Sequence, residues 1–112
     1  MKKIEAIVRP SKVGDVCDAL EKVGHSGIMI TEVEGHGKQK GIETEIRGKK
    51  YKVELMTKAR IEVVAKDNEV EAIIKAIREA ALTGKVGDGK IFIYPVADAV
   101  RIRTAERGDV AV

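Results

Sequence analysis

Residues 83–92 read Thr-Gly-Lys-Val-Gly-Asp-Gly-Lys-Ile-Phe, so three glycines, an aspartate and two lysines crowd into one turn. Gly84, Gly87 and Gly89 let the backbone take positive φ and let another group come close. Successive N–H groups in such a turn make a concavity that suits an anion. Lys85 and Lys90 add charge that a phosphate would use. The other reading is a helix C-cap glycine followed by a tight turn into a strand. One glycine suffices for a cap. Three within six residues, with flanking lysines, favour a ligand.

Arg101 and Arg103 are the second candidate. Two apart on a strand, they would point the same way, roughly 7 Å apart. Paired guanidiniums suit a polyphosphate, or else they are charges that guard an edge strand against aggregation. Other chemistries are poorly supplied. His25 and His36 have no partner at metal-ligand spacing, which argues against zinc. No Ser/His/Asp or Cys/His arrangement occurs, and Asp88 has no neighbouring base. The glycine turn does not complete Gly-x-x-x-x-Gly-Lys-Ser/Thr, and a strand rather than a helix follows it. RNA binding on a sheet needs exposed stacking aromatics, and the strands offer only Phe92 and Tyr94.

At 112 residues the chain reads as one domain. Hydrophobic residues make up 44%, enough for a core. No apolar run approaches the ~20 residues of a membrane span. The opening Met-Lys-Lys-Ile-Glu lacks a signal peptide's apolar centre. A single cysteine, Cys17, allows no internal disulfide, so the cytoplasm is the expected compartment. The net charge of +3 is too mild to imply nucleic acid. All of it lies between His36 and Leu55, where six basic residues meet three acidic ones.

The elements that must position these groups follow from periodicity. Ile4, Ala6 and Val8 alternate with Lys3, Glu5 and Ile7 as a strand. Pro10 ends it, with Ser11 as a candidate N-cap. Val13, Val16, Cys17 and Leu20 form a helical stripe, which Gly24 closes. Residues 28–33 and 59–65 are strands, and Asn68 with Glu71 fits a capping box. Val70, Ile73, Ile74, Ile77 and Ala81 form a second stripe. Residues 90–94 are a fourth strand and 99–103 a short fifth, with Val100 and Ile102 facing the core. Residues 104–112 read as a polar tail. The order β-α-β-β-α-β matches an α+β, ferredoxin-like double split βαβ. Ile7 and Val64 make the uncovered sheet face partly apolar, and self-association is the simplest cover. Residues 36–55 lack clean periodicity. A loop longer than ~12–15 residues in a compact domain is usually functional or disordered; a long charged β-hairpin is the alternative.

Thr83, Gly87-Asp88-Gly89-Lys90, Ile91-Phe92 and Val96 resemble the C-terminal signature of the PII signal-transduction proteins (GlnB/GlnK-like), and the resemblance runs the length of the chain without an obvious gap. It implies a homotrimeric, cytoplasmic regulator of nitrogen metabolism, not an enzyme, although it leaves room for slow ATP hydrolysis. It implies ATP or ADP between subunits, with Ile7, Gly35 and Val64 around the base. Lys38, Gly87, Asp88, Gly89, Lys90, Arg101 and Arg103 would lie around the phosphates. It implies 2-oxoglutarate at Gly37, Gln39, Lys40, Gly41, Lys58 and Gly87, with Gln39 ligating a bridging Mg²⁺. Residues 36–55 match the family's T-loop. Arg47-Gly48 match the tip that engages an ammonium transporter at the membrane, with glutamine synthetase a further partner. Tyr51 matches a position that some members modify.

Several positions depart from the family: Lys38 for arginine, Met29 for threonine, His36 for an aromatic, Ile46 for tyrosine, and Lys49-Lys50 for small or acidic residues. The competing classes are a ferredoxin-like nucleotide-dependent phosphotransferase, separable by turnover assays, and a basic nucleic-acid module, separable by salt-dependent oligonucleotide binding.

Overall fold

A computed structural model describes the backbone of residues 1–25, 27–46 and 49–112, with side chains throughout those segments except 33–56. The elements run β1 (Lys2–Val8), α1 (Val13–Lys22), β2 (Met29–Ile46), β3 (Lys49–Ala65), α2 (Val70–Ala81) and β4 (Lys90–Pro95). The four strands form one antiparallel sheet in the order β2-β3-β1-β4. The alternation in β1 has its expected effect. Ile4, Ala6 and Val8 are buried with Ala59, Ile61, Val63 and Ala65 of β3, under Val16 and Leu20 of α1 and Ile73 and Ile77 of α2. Burying each large aliphatic side chain stabilises the fold by about 1.5–3 kcal/mol.

Both helix stripes are present, but their starts differ from expectation. A short 3-10 turn at Pro10–Lys12 precedes α1, whose N-cap carries no side-chain hydrogen bond, so Ser11 does not cap it. Another 3-10 turn at Asp67–Glu69 precedes α2. There Glu69 Oε1 accepts the Lys66 N–H at 3.3 Å, so the reciprocal contact falls before the expected Asn68–Glu71 pair. Both shifts come from one extra tight turn that the apolar stripe does not record. At its other end α1 closes as foreseen. Gly24 adopts φ 91°, its N–H donates to Glu21 O, and the His25 N–H reaches back to Leu20 O. His25 Nε2 then lies 2.9 Å from Glu69 Oε2, so this histidine ties the end of α1 to the start of α2.

Two expectations are corrected. The long loop between the second and third strands is a continuation of the β2–β3 hairpin. Backbone pairing runs from Met29↔Glu62 to Ile46↔Lys49. The glycines do not interrupt it, because a ladder needs only backbone groups. One register shift, between Lys38 and Ile42, takes up the surplus residues Gln39, Lys40 and Gly41. The short fifth strand is absent among the described residues. Val100 makes one isolated bridge to Arg107, and the chain turns at 102–104. Val100 and Ile102 therefore do not face the core; Ile102 is fully exposed.

The second sheet face is the more polar one. Lys3, Glu5, Arg60 and Glu62 lie on it in an ion-pair network, with Lys3 Nζ 3.8 Å from Glu5 and 3.9 Å from Glu62, and Arg60 Nε 3.0 Å from Glu62. Lys3 also lies 4.6 Å from the centre of the Tyr94 ring. Ile7 and Val64 are half-buried there, while Met29, Phe92 and Tyr94 are exposed.

Candidate functional site

The turn at 83–90 is built around Asp88. Its carboxylate accepts the backbone N–H groups of Thr83 and Gly84, both at 2.9 Å, and the Thr83 hydroxyl. Arg9 Nε donates to it at 3.3 Å. The Thr83 hydroxyl first, then the Thr83 N–H, hold the Asp88 carboxyl well below the usual carboxylate range. Asp88 thus knots the turn, and Gly84, Gly87 and Gly89 supply φ of 84°, 104° and 100°. At Gly89 the need is steric as well. A Cβ there would lie 1.7 Å from the carbonyl oxygen of Ile7, so only glycine lets the turn pass against β1.

Two cations close on the carbonyl side. Arg9 Nη2 donates to Val86 O at 2.9 Å, and Lys58 Nζ donates to Gly87 O at 2.5 Å. The N–H groups of Gly87, Asp88 and Gly89 find no acceptor among the described residues. Three successive unpaired amides beside Arg9, Lys58, Lys85 and Lys90 can receive an anionic oxygen. A cavity of about 260 Å³ opens between the turn, α2 and the β1–β4 ladder. Ile7, Ile77, Leu82, Gly89, Lys90 and Ile91 are among its lining residues.

The expected site residues divide into groups. Ile7, Lys58, Gly87, Asp88, Gly89 and Lys90 come together. Ile7 is paired with Lys90 across the sheet, and Lys58 reaches the turn. Val64 shares the sheet face of Ile7 but pairs with Lys3, four positions along β1 and so ~13 Å away. Arg101 and Arg103 do not share a strand face, since 102–104 form a turn. Arg101 donates to Glu106 and to Val110 O, and no hydrogen bond among the described residues links either arginine to the 83–90 turn. Gln39, Lys40 and Gly41 fall in the register shift of the hairpin. Lys58 pairs with Val33, so Lys38 is five residues farther along β2, roughly 17 Å away. The side chains at Gly35, Gly37, Lys38, Gln39, Lys40, Gly41 and Tyr51, and Arg47 and Gly48 entirely, lie outside the described residues.

Arg9 was not foreseen. It follows an apolar strand and precedes Pro10, and nothing in its spacing points to Asp88, 79 positions away. Only the β1–β4 pairing brings the two ends together. Thr83 belonged to the signature, but its role as the hydroxyl that holds Asp88 follows from the turn's geometry.

Fold and turn define the class: a small antiparallel α+β domain with a glycine turn lined by amides and cations. A family model described as nitrogen regulatory protein P-II matches residues 1–106. The chain is 52% identical to a nitrogen regulatory protein P-II of Azospirillum brasilense and 50% identical to one of Rhodospirillum rubrum, over the full length of each chain. A solved structure of an Arabidopsis thaliana PII bound to citrate superposes with a TM-score of 0.82 at 40% identity, covering 99% of this chain and 91% of that one. The chain belongs to the P-II family of nitrogen regulatory proteins. Its relatives are named as regulators rather than as enzymes. Among the described residues no helix is long and apolar enough to cross a membrane.

Proposed function

We propose that this chain senses nitrogen and energy state by binding ATP or ADP against the 83–90 turn. The reading rests on the three unpaired amides of Gly87, Asp88 and Gly89, set beside four cations. Phosphate oxygens would accept from these amides and from Lys90. Ile7, Gly35 and Val64 would bound the base, and Lys38, Arg101 and Arg103 would complete the phosphate contacts. The cavity at the turn is smaller than the ~300 Å³ floor for small-molecule pockets. That fits a site to which a neighbouring subunit contributes the rest, and a homotrimer is the proposed assembly.

The second ligand is 2-oxoglutarate. Lys58 already stands on the turn at Gly87 and would pair with one carboxylate. Backbone at Gly37, Lys40, Gly41 and Gly87 would complete that site. Among the described residues no cluster of three His, Cys, Asp or Glu is placed to hold a metal. Mg²⁺ would instead take ligands from ATP phosphates, from 2-oxoglutarate and from the Gln39 amide oxygen. These are all hard oxygen donors, which suit an ion that is held largely by substrate phosphates. The ion would join the two ligands by screening their charges.

The output is the conformation of the β2–β3 hairpin, read by a partner in the cytoplasm. That partner would be an ammonium transporter engaged through Arg47 and Gly48, with glutamine synthetase as another and Tyr51 as a modification point. Recruitment to the membrane would be reversible. Calorimetric titration of ATP into wild type and Arg103→Ala tests the nucleotide reading. Removing one charge-assisted contact is worth ~1.5–3 kcal/mol, so the variant should bind ATP roughly ten- to a hundredfold more weakly. Equal affinity would leave Arg103 as a solvated surface charge.

A further inference from the structure

The C-terminal segment holds one guanidinium at both of its terminal nitrogens. Arg101 Nη1 donates to Glu106 Oε1 at 2.7 Å, and Nη2 donates to Val110 O at 2.9 Å. Glu106 is itself held. Its Oε1 also accepts the Thr104 hydroxyl at 2.7 Å, and its N–H donates to Thr104 Oγ1 at 3.3 Å. The backbone closes the same loop, with Arg101 N–H on Glu106 O at 2.9 Å and Ala105 N–H on Arg101 O at 2.8 Å. To make this turn Ala105 adopts φ 61°, the only non-glycine at positive φ among the described residues. Such a backbone strains a residue that carries a side chain. It persists only where the surroundings over-determine it. Arg103, two residues on, is exposed and makes no hydrogen bond among the described residues.

The two arginines are therefore unlike. Arg103 offers a free charge on a flexible stem. Arg101 is fixed, and of its five N–H donors only two are used among the described residues. Three remain for an incoming oxyanion, on a guanidinium whose rotamer freedom has already been lost. Preorganisation of this kind improves affinity by removing an ordering cost at the moment of binding. We propose that Glu106 is the positioning residue for Arg101 in phosphate binding, acting through the guanidinium it holds rather than by touching the ligand. This deepens the nucleotide reading above and rests on it.

A double-mutant cycle with ATP as the probe, read by calorimetry, tests the assignment. Residues in one hydrogen-bond network couple, and Glu106→Ala should weaken ATP roughly three- to tenfold. Glu106→Gln keeps an acceptor oxygen for Arg101 and Thr104 and should stay within about twofold of wild type. In an Arg101→Ala background, Glu106→Ala should have no further effect, which general damage to the fold would not reproduce. ATP affinity that is unchanged or higher in Glu106→Ala would overturn the assignment, as would an equal loss with and without Arg101. A wild-type chain that binds no ATP would overturn the nucleotide reading itself, and an Arg101→Ala variant that binds as wild type would overturn the assignment by removing Arg101 from the site. Normal loss in Arg101→Ala with no effect of Glu106→Ala would overturn only the role of Glu106.

Discussion

Asp88 is the residue on which the turn depends, and its charge is what the turn needs. Its carboxyl is held below the ordinary value of 3.8 by the Thr83 hydroxyl, then by the Thr83 N–H, with Gly84 and Arg9 helping. A folded pKa lowered in this way contributes stability that is fully present above the unfolded value and lost as pH falls through the folded one. The contribution of Asp88 should therefore fade below about pH 3.8. Asp88→Asn should remove it at neutral pH and flatten the acid limb of a Tm-against-pH profile. An acid limb as steep as wild type would show that the carboxylate does not hold the turn. At this scale the sequence was informative where chemistry is local. Gly84, Gly87 and Gly89 were legible as positive-φ positions because each acts on its own backbone. Arg9 and Glu106 were not. Each works through a partner that only the folded chain supplies, across 79 residues in one case and through an unforeseen turn in the other.

The elements were read well where one face of each is buried. The stripes of α1 and α2 and the alternation of β1 mark the core directly. The distal part of the hairpin is not legible because residues 36–55 carry no clean apolar alternation, and backbone pairing by itself leaves no signature in the sequence. The fifth strand failed for the opposite reason: Val100-Arg-Ile-Arg103 alternates, but it leads to a turn stabilised by side chains. The extended hairpin also has a consequence for function. It sets the backbone of Gln39, Lys40 and Gly41 far from Lys58, although the proposed 2-oxoglutarate site needs them together. On the proposed reading, binding of Mg²⁺, ATP and 2-oxoglutarate would break the distal ladder and fold it back toward the 83–90 turn. Amide hydrogen exchange is expected to rise at residues 43–46 and 49–53 and to fall at 37–41 when the three ligands are added together. Unchanged exchange across the hairpin would contradict this coupling.

The whole molecule is extended. Its radius of gyration is 17.1 Å, against roughly 13 Å for a compact domain of this length. The hairpin accounts for the excess, since the four-stranded body is closed by two helices on one face. The other face and the β4 edge leave Met29, Phe92, Ile93 and Tyr94 exposed, four large side chains in a protein with only three aromatic residues in all. Association should cover them, and light scattering should give about three times 12.2 kDa. A monomer at micromolar concentration would remove both the assembly and the shared nucleotide site. The central claim is that one site reads two metabolites at once. A small dicarboxylate has little apolar surface to bury, so its affinity must come from charge and from the metal link. Calorimetric titration of 2-oxoglutarate into the protein with Mg²⁺ and ATP, with ADP, and with ATP plus EDTA tests this most directly. Saturable binding is expected in the first condition alone, and equally tight binding in all three would contradict it.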